Sequence, residues 1–541
     1  MCQLKDPIQE GLQRGWKVSG GAFSPVAASM VCDVAIIGSG AGAGITAELL
    51  SKAGLKVVVI EEGPLNSSGD FNQKESEAYP ALYLESTARN TADEAIDILR
   101  GRCVGGSTTV NWISSFRTPA PRLEFWQSMF GLTDYSVQAL APYFEQAETR
   151  LSIAPWLAAP NENIDLLRRG AARSGIALLA ISRNVKGCWN IGSCGLGCPT
   201  NAKQSMLVTT LPAVLDSGAQ LLVETHAENF EFAKGRIIAL ICRNIEPNSA
   251  SAQSRQGLNA TKIIARNYAL AGGAINPLAV LLRSQAPDPH GHLGKRTLLH
   301  PVVMFLAVFE HQVAAWSGAP QSIYTDHFLQ TDTIDGPIGY KLEAPPLHPV
   351  IFASTVPGVG QAQHDLLKNF QNNHTLLVLL RDGFHDESPG GQVELRSDGS
   401  PVLDYPLTHF VMEGGRRPLL SMMEIQFAAG ARQVLPLHEM EQPYTSWARA
   451  REAVKPLPMK PMLTKVVSAH VMGGCSLSAA ENPNVTQADG THWQIENLSV
   501  HHASLFPSSI GANPQLSVYG VVNRLAQGQA KKLTGKEVVL A

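Results

Sequence analysis

Residues 31–50, Val-Cys-Asp-Val-Ala-Ile-Ile-Gly-Ser-Gly-Ala-Gly-Ala-Gly-Ile-Thr-Ala-Glu-Leu-Leu, constrain this chain more than any other stretch. An apolar run enters a glycine cluster and continues as a helical pattern, which is the succession strand, tight turn, helix. Gly38 and Gly40 allow a tight turn and a close backbone approach, and a pyrophosphate would sit at the N-terminus of the following helix. The third position of the fingerprint is Ala43, which suits close packing of helix on sheet. A second apolar strand, Val57-Val58-Val59-Ile60, ends on Glu61, where a ribose-binding carboxylate belongs. The set predicts a dinucleotide site. NAD and FAD share the ADP half that such a cradle binds, so the cradle alone leaves both open.

A chain of 541 residues exceeds one simple core and predicts two domains or one elaborated unit. Its net charge of -3 gives no field that would draw it to nucleic acid or anionic lipid. The first ten residues lack the basic and apolar segments of a secretory signal, and no apolar run reaches the roughly 20 residues of a membrane helix. The expected setting is cytoplasmic, with peripheral membrane association or export alongside a partner as variants. Eight cysteines at this length do not make a disulfide scaffold.

Residues 1–30 read as an irregular lead-in with a short helical patch, and 63–80 as a polar surface loop. A second glycine-rich segment, 98–112, offers backbone N–H groups and hydroxyls to a phosphate or planar ring. Helices are expected over 161–174 and 206–215, and a strand over 220–224. Residues 262–283 repeat strand, glycine turn and helix, with Pro277 in the first helical turn. From 301 the pattern changes to alternating segments, and 392–396 and 402–405 flank a Ser-Asp-Gly hairpin signal. The apolar segments 350–356 and 376–380 read as core strands that would mildly favour a lipophilic or aromatic ligand. The final segment combines residues 468–478, residues 496–516 and a closing amphipathic helix over 518–532.

In this order, the cradle with Glu61, the Arg100-to-Asn111 segment, the Ala271-Gly-Gly-Ala-Ile-Asn-Pro segment and the stretch 496–519 resemble the glucose-methanol-choline oxidoreductase family. The branch it is most similar to holds long-chain alcohol oxidases, cholesterol-oxidase-like enzymes and sugar dehydrogenase large subunits, because Asn513 stands where many relatives carry a second histidine. The resemblance implies FAD and an α/β fold: a Rossmann-like FAD-binding domain with an inserted α+β antiparallel-sheet substrate domain. The expected boundaries are 1–300 and 466–541 for the FAD-binding domain and 301–465 for the insertion.

By resemblance, His470 and Asn513 are the catalytic pair. A histidine can take the hydroxyl proton while hydride leaves the adjacent carbon for flavin N5, and an amide can orient the same oxygen. Gly105, Gly106, Ser107 and Asn111 would line the flavin, and Arg100 would lie near the pyrophosphate. Some relatives attach FAD through a histidine beside the flavin-loop Asn. Val110 stands there, so the flavin is expected to be non-covalent. His502 replaces a common Asp and reads either as a substitute ligand or as a neutral change.

Cys188, Cys194 and Cys198 follow C-x5-C-x3-C, a spacing that can converge on one metal. It resembles an iron-sulfur loop of sugar dehydrogenase large subunits, yet Trp189 occupies the place of a further cysteine. Buried inert thiols are the preferred reading, with a three-iron cluster, a disulfide or a redox-sensitive loop as lesser ones. The expected function is FAD-dependent oxidation of a primary or secondary alcohol. The alternative is a flavoprotein subunit docking a small partner protein or electron acceptor.

Overall fold

The computed structural model describes residues 4–245, 260–480 and 483–540. Two eight-stranded sheets organise them. In the first, the strands Lys17–Ser19, Gln220–Leu222, Val57–Ile60, Ser29–Ile37 and Ala260–Leu270 run parallel in that spatial order. The antiparallel hairpin Thr225–Ala233 and Arg236–Asn244 extends the sheet beyond the N-terminal half of Ala260–Leu270, and Leu498–Val500 pairs with its C-terminal half. The Val57–Ile60 strand is buried along its whole length, as expected for a parallel strand covered on both faces. Ile37 and Leu270 are register partners, so the glycine turns that follow them emerge side by side at the carboxyl end of the sheet. That is where ligands bind in open α/β sheets.

The helix Ala41–Lys52 covers this sheet and is itself covered by Gln515–Thr534. The lead-in is ordered: Pro7–Gln13 is a helix capped by Asp6, and Lys17–Ser19 forms the sheet edge. The expected elements appear as the helices Glu162–Arg173, Thr210–Asp216 and Asn276–Arg283 and the strand Gln220–Leu222.

The second sheet runs Ile96–Ile98, Val466–Ser468, Val302–Val308, Asn373–Leu380, Tyr340–Glu343, Ile323–Thr325, Leu179–Ala180, with Gln433–Pro436 also paired to Val302–Val308. All its ladders are antiparallel except Val466–Ser468 against Ile96–Ile98. Strands at both its ends thus come from outside 301–465. Period-two alternation splits its apolar residues. Val303, Phe305, Leu376 and Val378 join the main core, whereas Val302, Leu377 and Leu379 form a separate cluster with Met304 and Trp112.

Two local expectations are corrected, and a third is placed in a sheet of its own. Residues 63–80 are not one loop, because Glu75–Leu82 is a helix that buries Glu75, Ala78, Tyr79 and Leu82 at i, i+3, i+4 and i+7. Residues 350–356 are not a strand. Pro349 opens the helix Pro349–Thr355, and the Glu75 carboxylate accepts from the N–H groups of Val350 and Ile351 at 2.8 and 3.2 Å, filling its orphan donors. The hairpin Gly391–Leu395 and Pro401–Asp404 forms as expected but joins Lys295–Thr297 in a separate three-stranded sheet. It packs on the helix Asn276–Arg283 and buries Val393 and Leu403 there. Among the described residues no helix is long and apolar enough to cross a membrane.

Candidate active site

One cavity of about 410 Å³ runs between the two sheets and collects the glycine loops, His470 and Asn513. At its first end the cradle is built by close backbone contact. Gly38 has φ 102°, and a Cβ there would come within 2.4 Å of the Gly272 Cα. Gly106, with φ 54°, lies so near Gly40 that a Cβ would meet the Gly40 Cα at 2.8 Å. Gly40 is the N-cap of Ala41–Lys52 and supplies no side-chain cap, so the first N–H groups of that helix remain available at the cavity wall.

Arg100 reaches the same wall. Its Nη2 donates to the Gly272 carbonyl at 3.2 Å, while its buried Nη1 has no partner. Burial, more than the neighbouring Arg89, pushes the guanidinium down to about 10. A buried cation with an unused donor beside a helix N-terminus fits a diphosphate. Glu61 also lines the cavity. It accepts from the Ser39 hydroxyl and N–H at 2.6 and 3.1 Å and from the Gly63 N–H at 2.8 Å, and burial raises it to about 7. Asn276, whose Oδ1 is buried and unpartnered, stands close by in the lining.

The second glycine loop turns into a short helix, Ser107–Val110, and Gly106, Ser107, Val110 and Asn111 all line the cavity. Asn111 donates to the Gln515 side chain and keeps a buried, unpartnered Oδ1. Gly105 and Ala43 lie behind the wall. The Gly105 N–H is bound to the Ser39 hydroxyl at 2.9 Å, and Ala43 is fully buried within the cradle helix. Lys203, not singled out from sequence, holds the loop from below: its buried ammonium donates to the carbonyls of Thr109, Asn111 and Cys194 at 2.9, 2.7 and 2.7 Å.

That last contact ties the cysteine loop to the second glycine loop. Cys188, Cys194 and Cys198 are free thiols with separate neighbours: Asn190, Arg183, and Thr200 with the Lys203 N–H, respectively. No cluster of three His, Cys, Asp or Glu side chains placed to hold a metal occurs among the described residues.

At the chemical end, His470 follows the strand Val466–Ser468, and its backbone N–H donates to the Ser468 hydroxyl at 3.2 Å. Its Nδ1 is buried without a partner, which leaves Nε2 as the nitrogen open to the cavity. Burial and then the Lys341 ammonium hold the ring down to about 3. Asn513 is buried at the lip of the cavity, its Oδ1 accepting from Lys341 Nζ at 2.9 Å and its Nδ2 directed at Glu343 at 3.5 Å. His502 lines the wall beside Arg100. It accepts from the Ser504 N–H at Nδ1 and is kept near 3 by burial and by Arg100, so it presents a neutral imidazole to the cavity. Lys341 and Glu343 escaped sequence reading, because alternating charges in Tyr-Lys-Leu-Glu look like the wet face of a strand.

Comparison with known proteins agrees with this architecture. Two GMC oxidoreductase family models match residues 79–302 and 387–521, together more than half of the chain. A GMC-type oxidoreductase of Sinorhizobium fredii is 26% identical over 92% of this chain and 94% of its own length. A long-chain-alcohol oxidase of Arabidopsis thaliana is 25% identical over 94% of this chain and 70% of its own. Among solved structures, pyridoxine 4-oxidase from Mesorbium loti superposes with a TM-score of 0.66 at 16% identity, covering 94% of this chain and all of that one. The same score, identity and coverage of this chain hold for a formate oxidase of Aspergillus oryzae whose structure concerns FAD modification, so the cofactor implied by the sequence resemblance has a counterpart on this fold. The first model takes in Arg100 to Asn111 and the second takes in His470 and Asn513, and the chain belongs to the GMC oxidoreductases.

Proposed function

We propose that this protein holds FAD non-covalently along the cavity and oxidises a lipophilic primary or secondary alcohol to the aldehyde or ketone. The observation that carries this reading is the pairing of an open His470 Nε2 with the Asn513 amide in the cavity whose other end is the glycine cradle and the half-used Arg100. Bound FAD supplies a hydride acceptor. The N–H groups at the start of Ala41–Lys52 and Arg100 hold its diphosphate, Glu61 takes the ribose hydroxyls, and Ser107 to Asn111 flank the ring system. Val110 offers no nucleophile for attachment.

The Val302, Met304, Leu377, Leu379 and Trp112 surface lines the cavity and favours an apolar substrate body. It also excludes water from the reacting carbon. Asn513 donates to the substrate oxygen and fixes its orientation. His470, neutral at physiological pH, accepts the hydroxyl proton at Nε2. Its low basicity suits a late transfer, because the hydroxyl becomes strongly acidic only as the adjacent C–H bond gives up its hydride.

The test is anaerobic mixing of the purified yellow protein with a panel of alcohols while the visible flavin band is followed. Bleaching is expected with long-chain or aromatic alcohols, and His470→Ala should slow it by about 10² to 10⁴. Protein purified without flavin, or bleaching that proceeds at the parent rate in His470→Ala, would overturn the reading.

A further inference from the structure

Behind Asn513 lies an ion pair that the proposed chemistry does not use directly. Lys341 and Glu343 sit two apart on the strand Tyr340–Glu343, hence on one face, and their side chains are 1% and 0% exposed. Lys341 Nζ is 2.7 Å from Glu343 Oε1 and 2.9 Å from Asn513 Oδ1. The ammonium also lies 3.1 Å from the centre of the Phe116 ring and 4.4 Å from that of Tyr324. Neither Lys341 nor Glu343 lines the cavity, whereas Asn513 does.

An ammonium can only donate and a carboxylate can only accept. Between them an amide has one satisfactory orientation, carbonyl toward the lysine and NH₂ toward the glutamate. One N–H of Asn513 then faces Glu343 and the other is left for the cavity. Left alone, an asparagine at this position would be free to present its carbonyl instead, and a carbonyl facing the substrate oxygen would accept the hydroxyl proton's hydrogen bond in competition with His470.

We propose that Lys341 and Glu343 are positioning residues that lock the Asn513 amide so that its N–H, not its carbonyl, meets the substrate oxygen. This rests on the reading of Asn513 as the hydroxyl-orienting group. A buried ion pair is a costly way to fill a core, and well-packed apolar residues of similar volume commonly replace one without loss of stability. Its presence directly behind the cavity amide therefore serves the site. Lys341 additionally places a positive charge near both His470 and His300.

The experiment uses the FAD-loaded full chain and compares the parent, Lys341→Met with Glu343→Leu, Asn513→Ala, and the three changes combined. Replacing both members avoids stranding one buried charge. The paired variant is expected to retain FAD and the parental melting temperature, to lose about tenfold or more in flavin reduction at saturating alcohol, and to change KM much less. In the Asn513→Ala background the same pair of changes should cost nothing further, because the pair acts through the amide.

A paired variant that reduces flavin at the parent rate, or losses that multiply in the combined variant, would overturn the proposal. An Asn513→Ala enzyme with parental rates would remove both the reading of Asn513 and the role of the pair. A crystal structure of the paired variant separates the inference from the activity: a rotated or doubly oriented Asn513 amide supports the lock whatever alcohols the enzyme accepts, and an unchanged amide overturns it.

Discussion

The ring of His300 meets the ring of His470 edge-on, with centroids 5.6 Å apart and an interplanar angle of 88°. His300 is fully buried, and its Nε2 accepts from the Gly511 N–H at 2.9 Å, two residues before Asn513. Its own N–H and that of Leu299 are held by the buried Asp382 carboxylate. One imidazole thus braces both members of the proposed catalytic pair. His300→Phe preserves the edge contact but leaves the Gly511 N–H unpaired, which is expected to cost about 1–3 kcal/mol of stability. Flavin reduction should slow together with that loss. Thermal unfolding and stopped-flow reduction of the same preparation check both, and a variant as stable and as fast as the parent would refute the brace.

The pH dependence of flavin reduction follows from His470. A group whose proton is lost at about 3 in the folded enzyme is already neutral at pH 5. The reduction rate should therefore stay level from neutrality down to the pH at which the fold itself fails. A limb falling near pH 6.5 would mean that His470 keeps its ordinary basicity and that burial does not hold it down in the working enzyme.

Stability should fall earlier than activity chemistry would. His374 and His502 are held at about 3, and His492 and His501 at about 4, all mainly by burial. Their folded values lie below the unfolded value, so the unfolded chain binds more protons in acid. The stability that their neutrality permits is full above about 6.5 and drains as pH falls toward 4. By about pH 5.5 the four together should remove on the order of 5 kcal/mol. Denaturant midpoints measured from pH 7.5 to pH 5 check the slope; a flat profile would show that these imidazoles protonate in place.

Arg100 separates cofactor binding from folding. Arg100→Met removes the charge-assisted contact proposed to the diphosphate, worth about 1.5–3 kcal/mol, so FAD affinity should fall roughly 10- to 150-fold. The apoprotein should be as stable as the parent or more so, since a buried guanidinium with an unused Nη1 is removed. Fluorescence titration of apoprotein with FAD, beside melting of the same apoprotein, reads the two effects separately. Unchanged affinity would place the diphosphate elsewhere.

How far the sequence could be read follows from the range of the interactions involved. The cradle is local: strand, glycine turn and helix lie within residues 29–52, and backbone geometry alone demands glycine at 38. His470 and Asn513 carry no local signal of comparable strength, and the roles proposed for them come from sequence only through resemblance to a family. Lys203, Lys341 and Glu343 were illegible because their meaning depends on partners distant in sequence, the carbonyls of Thr109 and Asn111 in one case and the side chain of Asn513 in the other. The helix Pro349–Thr355 was misread for the same reason, since the group that caps it is Glu75, 275 residues away from Val350.

Gly42 carries the same dependence into the cradle itself. Its Cα lies so close to the His501 carbonyl that a Cβ would come within 1.6 Å of the oxygen, and the helix Gln515–Thr534 lies across the same cradle helix. The first glycine turn is therefore clamped by His501 and by the helix Gln515–Thr534, both far along the chain. A variant that displaces His501 or the helix Gln515–Thr534 would keep the glycine motif in sequence and lose the backing that shapes it, so the cradle is the joint property of two distant segments and not of the motif alone.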